Sequence, residues 1–157
     1  DGTELELTTQ ELNECLQYAA TPGLPGLLAE LKKQIQDEHN PPYEKWDMCV
    51  TTGSQDGLTK AFEMLLNPGD IIIVEAPTYS GALAYLKPSG VRFLPVAVDG
   101  EGITPDALKA AVSGLSAEDR ARCKVLYTIP TGQNPSGSRA GDARYVTDLA
   151  TVYISYL

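Results

Sequence analysis

The chain predicts an α/β fold, a three-layer αβα arrangement around a mostly parallel sheet, on three features of its sequence. From Asp47 onward, short apolar, β-prone runs alternate with stretches of helical spacing, and that alternation builds a parallel sheet with helices on its faces. The run DIIIVEAP, Asp70 to Pro77, is continuously apolar through its first half, the pattern of a strand covered on both faces. The helical stretches end in strong punctuation: Asn67-Pro68-Gly69 closes one, and Pro88 with Gly90 closes the next.

In chain order, LTTQELNECLQY predicts a helix with Thr8 or Thr9 as N-cap and Leu12, Cys15 and Leu16 on one face. ATPGLPG breaks it. LLAELKKQIQDEH resumes helical spacing at Leu27, Leu28, Leu31 and Ile35, with a charged outer face, and NPPYEKW is a loop. DMCVTT is then expected as a short strand, SQDGLTKAFEMLL as a helix and DIIIVEAP as a strand. TYSGALAYLKPSG follows as a helix, VRFLPVAV as a strand, and DGEG as a turn. TPDALKAAV is a helix capped by Thr104 with Pro105 at its first position, and KVLYTIP is a strand. A further helix is expected near YVTDLA.

The balance of 43% hydrophobic and 21% charged residues is that of a globular chain, and 157 residues are enough for one ordinary domain with a core. A net charge of −9 argues against a nucleic acid or an anionic membrane as partner, since both need a basic face. No apolar run approaches the roughly 20 residues that span a bilayer, and the stretch Asp1-Gly2-Thr3-Glu4 has no basic region before an apolar run, so no secretory signal is expected within these residues. An intracellular location, cytoplasmic or mitochondrial, is expected. Cys15, Cys49 and Cys123 are too far apart for a metal knuckle and are expected to be buried or partly buried free thiols. His39 is the only histidine and sits beside a proline turn, which leaves histidine-based catalysis or metal binding little to work with.

In such a sheet, ligands sit outside the carboxyl ends of the strands. Three loops are expected there: TTGSQDG, EAPTYSG and TIPTGQNPSG. In the first, Ser54 can cap a helix that starts near Gln55, and unpaired amides at a helix start favour a phosphate. An ordinary strand-to-helix turn with a serine cap fits the same residues. The glycines match neither G-x-G-x-x-G nor a nucleotide P-loop. In the second, Tyr79 can lie flat on a planar ligand or cover the edge of the core, and Glu75 can meet a ligand or make a loop hydrogen bond. In the third, Asn134 before Pro135 is held extended. Its amide can donate to a phenolic oxygen or bond its own turn.

A phosphate cradle, an aromatic platform and an amide donor together suit a flat phosphorylated heterocycle. Through LQYAATPGLPGLLAELKK, HNPPYEKWDMCVTTGSQDGLTKAFEMLLNPGD, VEAPTYSGAL and LYTIPTGQNPSG, the chain resembles the fold type I pyridoxal-phosphate aminotransferases of class I/II. It is most similar to the kynurenine/α-aminoadipate and aromatic amino acid aminotransferases. The resemblance implies that Ser54 and Gln55 hold the phosphate of pyridoxal 5'-phosphate, Tyr79 stacks on its ring and Asn134 bonds the phenolic oxygen. It implies that Tyr18 reaches the partner's cofactor in a homodimer. The substrates would be an α-amino acid (aminoadipate, kynurenine or aromatic) and a 2-oxo acid.

The same resemblance divides the chain into an N-terminal helical segment and linker (1–45), a partial cofactor-binding large domain (46–137) and a divergent tail (138–157). The family's acidic strand, Schiff-base lysine and substrate-clamping arginine are not matched. Lys32, Lys33, Lys45, Lys60, Lys87, Lys109 and Lys124 all lie outside a motif for the covalent link. The chain by itself is therefore expected to be inactive, as an N-terminal and central fragment with an incomplete sheet that leaves DIIIVEAP exposed. The alternatives are a non-catalytic dimerising remnant that pairs with a full-length subunit and, from the alternating pattern alone, a nicotinamide-dependent oxidoreductase.

Overall fold

The structure, a computed structural model, describes residues 2–141. The expected helix near YVTDLA lies outside the described residues. The chain forms two compact units, Asp1–Thr52 and Gly53–Leu157.

The first unit holds α1 (Thr9–Cys15) and α2 (Pro25–His39). Thr8 is the N-cap of α1 in a full capping box: Glu11 N–H donates to its hydroxyl, and the Glu11 carboxylate accepts from Thr8 N–H at 2.8 Å. The Thr8 N–H bond, and then a second bond donated by the Thr8 hydroxyl to the same carboxylate at 2.7 Å, hold the Glu11 carboxyl below its usual range. Pro25 opens α2, and Asn40 ends it in the left-handed region (φ 41). Neither helix buries a residue, and the faces expected to be apolar stay open, with Leu12, Leu16 and Leu27 exposed and Leu28, Leu31 and Ile35 half-buried. His39 is the last residue of α2.

Two expectations fail in this unit. DMCVTT is not a strand: Val50 N–H donates to the Pro22 carbonyl at 2.7 Å, so this stretch bonds a turn in place of a ladder. Cys15 and Cys49 are exposed, and Cys123 alone is buried. The reason is the same for both thiols: this unit has no core to take them in.

The second unit carries α3 (Ser54–Leu65), β1 (Ile71–Ala76), α4 (Ser80–Leu86) and a 3₁₀ turn at Lys87–Ser89. It continues with β2 (Arg92–Asp99), β3 (Gly102–Ile103), α5 (Pro105–Ser113), α6 (Ala117–Arg122) and β4 (Cys123–Tyr127). The sheet order is β3-β2-β1-β4. β1 runs parallel to β2 on one side and to β4 on the other, and β3 adds a short antiparallel edge. Pro95 lies in β2 opposite Val74, before the stretch Val98–Asp99 that pairs with β3.

β1 alternates its side chains between two cores. Ile71 and Ile73 join Val96, Ile103, Leu108, Val112 and Cys123 beneath α5. Ile72 and Val74 join Phe62, Ala82, Leu86 and Val91 beneath α3 and α4. The continuous apolar run is thus buried on both faces, and flanked on both edges. This overturns the expectation that DIIIVEAP is left exposed: β1 is the inner strand, and among the described strands β4 has one neighbour only.

The short strand β3 falls where a turn was expected, and α6 was not foreseen. The signal for α6 was present, since the Ser116 hydroxyl accepts from Asp119 N–H at 3.0 Å ahead of two acidic residues. Thr104 caps α5 with Pro105 at its first position, as the sequence predicts.

Candidate functional site

Chain direction brings three segments to one end of the second unit. α3 packs Leu58 and Phe62 on the same core as Ile72 and Val74, and the short link from Leu65 to Ile71 turns the chain back along that core. A helix of this length spans about 18 Å and a strand of this length about 20 Å. The first turn of α3 therefore lies level with the carboxyl end of β1. β4 is parallel to β1, so the loops after Ala76 and after Tyr127 leave at that same end.

Ser54 is exposed and is the first residue of α3, with Gly53 as N-cap at φ 90. The expected serine cap is thus displaced by one residue, because the chain turns into the helix through a conformation that suits glycine. No side chain caps α3. Asp56 adds an acidic group to the first turn, and Lys60 pairs with it one turn on. Gln55 is half-buried. Two buried side-chain polar atoms have no partner among the described residues, Gln55 Oε1 and Thr78 Oγ1, and both lie at this end of the unit. Such atoms cost roughly 1–3 kcal/mol each until something bonds them.

Tyr79 is half-buried against the α3–α4 core, and its ring lies over Gly81, where any side chain would overlap it. Phe62 meets Tyr127 edge-on at 5.7 Å between ring centroids and stacks on Tyr85 at 6.3 Å. Burial raises the Tyr127 phenol above its ordinary pKa, with Glu75 and then Tyr79 adding to it.

The loop after β4 folds on itself. Ala140 N–H donates to the Pro130 carbonyl at 2.8 Å, Gln133 N–H donates to the Ser138 carbonyl at 3.0 Å, and Thr131 pairs with Arg139. Asn134 is exposed beyond Gln133, and its peptide to Pro135 is cis, as is that between Ala76 and Pro77. Glu75, at the end of β1, is 2% exposed, and its role is the loop hydrogen bond. It accepts from Thr128 Oγ1 at 2.6 Å, Ile129 N at 3.3 Å and Gln133 Nε2 at 2.9 Å. Gln133 Nε2 also donates to the Pro77 carbonyl at 2.7 Å. Sequence reasoning passed over Gln133. The available signal was Glu75 itself, since a carboxylate ending a doubly buried strand must find donors on the neighbouring strand tip.

The structure thus gathers Ser54, Gln55, Tyr79 and Asn134 at one end of the second unit, on three segments. Tyr18 belongs to the first unit, where its side chain is fully exposed. Only the second and third segments leave strands of the sheet. The first emerges from the irregular stretch that replaces DMCVTT. Among the described residues no group of acidic, histidine or cysteine side chains could hold a metal ion, and no helix is long and apolar enough to cross a membrane.

The family model of aminotransferase class I and II matches residues 3–152. The chain is 41% identical to the mitochondrial kynurenine/alpha-aminoadipate aminotransferase of Rattus norvegicus, over 98% of this chain and 39% of that protein. It is 38% identical to an aromatic amino acid aminotransferase of Schizosaccharomyces pombe, over 82% of this chain and 27% of that protein. The crystal structure of Pyrococcus horikoshii kynurenine aminotransferase, in complex with PMP, superimposes with a TM-score of 0.80 at 33% identity. That match covers 91% of this chain and 35% of the other. The chain spans well under half the length of these relatives. The family match does not support a nicotinamide-dependent oxidoreductase.

Proposed function

We propose, from the premise that the chain belongs to the aminotransferase class I and II family, that its second unit is the pyridoxal 5'-phosphate-holding part of such an enzyme. The whole enzyme would move an amino group from an α-amino acid (aminoadipate, kynurenine or aromatic) to a 2-oxo acid. A soluble intracellular setting, mitochondrial as for the rat relative, fits this reading. The observation that carries it is the concentration of unpartnered buried polar atoms at the one end where a helix start and two strand loops meet.

The residues present fit the cofactor's parts. The first turn of α3 offers backbone N–H groups, the positive end of a helix dipole and the Ser54 hydroxyl to a phosphate. Gln55 gives the same turn a side-chain amide whose Nε2 can donate to a phosphate oxygen, leaving its buried Oε1 to accept from a donor elsewhere in the site. Tyr79 offers a ring face, and Asn134 a side-chain donor for the phenolic oxygen. When bound, the cofactor supplies the electron sink that amino-group transfer requires. The chain's residues orient it, neutralise its phosphate and keep one ring face from water. Tyr18 would reach the phosphate of the partner copy in a homodimer. None of the chain's lysines serves as the Schiff-base lysine in this reading, so the chain by itself holds the cofactor non-covalently and does not turn over substrate.

A titration with pyridoxal phosphate, followed by its absorbance, tests this. Weak binding is expected, with affinity falling on the order of tenfold in Asn134→Ala and in Tyr79→Ala. No binding by the wild type, or no effect of either substitution, would overturn the assignment. Borohydride fixation of the cofactor on one specific lysine would overturn its non-covalent part.

The exposed apolar residues of the first unit, Leu5, Leu7, Leu16 and Tyr18, favour a second reading. In it the chain is a non-catalytic partner that pairs with a full-length subunit. Co-expression with a full-length homologue should then yield a co-purifying pair, and separate elution would end the idea.

A further inference from the structure

We infer that Glu75 and Gln133 form a latch between the two strand-tip loops, and that this latch sets where Asn134 stands relative to the turn carrying Tyr79. Both are positioning residues that act through their neighbours. The claim rests on the cofactor reading above and adds to it the device that holds the ring-binding groups in register.

Two buried side chains join the two loops. Glu75 and Gln133 are each 2% exposed, although a carboxylate and an amide are rarely so buried without full partnership. The bonding is complementary atom by atom. Glu75 Oε1 accepts from Thr128 Oγ1 and Ile129 N–H, and Oε2 accepts from Gln133 Nε2. The two protons of Gln133 Nε2 go to Glu75 and to the Pro77 carbonyl, while Oε1 accepts from Ser136 N–H at 2.7 Å and Ser136 Oγ at 2.6 Å. Gln133 therefore grips the loop after β1 with its nitrogen and its own loop with its oxygen. Pro77 stands two residues before Tyr79, and Gln133 is directly bonded to Asn134 along the chain. Displacing the latch moves both ring-holding groups at once, although neither is a member of it.

The donor pattern has little tolerance. Glu75→Gln sets its new NH₂ against the Gln133 NH₂ or, flipped, against Ile129 N–H. Gln133→Glu sets a carboxylate against the Glu75 carboxylate and the Pro77 carbonyl, three acceptors with no proton between them. Closing that variant's loop needs an added proton. Its new carboxyl thus has a folded pKa above its unfolded value, so the closed form is favoured at low pH and lost as pH rises through the folded pKa. The double variant E75Q/Q133E restores a donor opposite an acceptor but leaves the Pro77 carbonyl unpaired, so it recovers only part of the loss.

The test uses the full chain with two independent readouts: amide hydrogen exchange without ligand, and titration with pyridoxal phosphate. Exchange is read at Gly137 and Ala140, whose backbone bonds to Gln133 and Pro130 no side-chain substitution removes directly. In Gln133→Ala, exchange at both sites is expected to accelerate on the order of tenfold or more, and pyridoxal phosphate affinity to fall by a similar factor. In Gln133→Glu, affinity relative to wild type should be better at pH 5 than at pH 8. Ser136→Ala, at an exposed position, is a milder probe if the larger changes prevent folding, with the same effects at reduced size. Unchanged exchange in the folded variants overturns the latch. Faster exchange with unchanged affinity, or no relative pH dependence in Gln133→Glu, overturns its positioning role. Absence of binding by the wild type overturns the cofactor reading, and the positioning role with it. Exchange then still decides whether the latch exists.

Discussion

The two units solve the same local problem and reach opposite degrees of burial. α1 and α5 are both capped by a threonine, with the Thr8 hydroxyl accepting from Glu11 N–H at 3.2 Å and the Thr104 hydroxyl accepting from Ala107 N–H at 3.3 Å. Yet α1 buries nothing, whereas α5 buries Leu108 and Val112 against β1 and β2. Local signals decide that a helix starts, and where. Whether its apolar face is covered depends on a neighbour supplied by the rest of the chain, and most helix stability in proteins comes from that packing. The first unit is a set of well-written helices without a core, and the second is a sheet whose helices are short but covered.

The largest expected effect sharpens this contrast. Leu108→Ala removes a fully buried side chain and should cost about 2–5 kcal/mol of cooperative unfolding free energy in a urea titration. Leu16→Ala, at a residue 73% exposed, should change it by less than about 0.5 kcal/mol. Equal effects would show that the first unit has a core of its own. At intermediate size, Thr104→Ala should lower the unfolding free energy by about 1 kcal/mol. Thr8→Ala should reduce the helical circular dichroism signal and leave the unfolding midpoint where it was.

The smallest effect lies on the surface of the second unit. Arg92 bonds Asp119, and that bond, with the guanidinium charge, holds the Asp119 carboxyl below its ordinary range against some opposing burial. A depressed folded pKa contributes stability above the unfolded value and loses it as pH falls through the folded one. Asp119→Asn should therefore melt slightly below wild type at neutral pH, with the gap closing below about pH 4. A gap that persisted in acid would mean the pair contributes through shape and not charge.

Most of the second unit is legible without coordinates. The alternation after Gly53, the doubly buried IIIV run and the Thr104-Pro105 start each state their structure locally, through periodicity or a cap. DMCVTT misled because β propensity makes a strand only when a ladder partner is at hand, and Val50 found Pro22 instead. β3 is too short to carry a pattern. The candidate site was half legible: Ser54, Tyr79 and Asn134 stand out as turn-rich residues at expected strand tips, whereas Gln133 looks like one more loop amide until β4 is placed beside β1.

The sequence by itself determined most of the helices and strands (DMCVTT, β3 and α6 apart), the doubly buried pattern of the IIIV run, and which polar groups sit at the loops, because caps, periods and turn residues act over a few positions. The tertiary structure decided what those groups touch. It placed Gln133 between Glu75 and Pro77, residues 58 and 56 positions away along the chain, and it left the first unit's apolar faces open. The physical reason is that a buried carboxylate specifies only that donors must come, and the pairing of strands specifies which donors arrive.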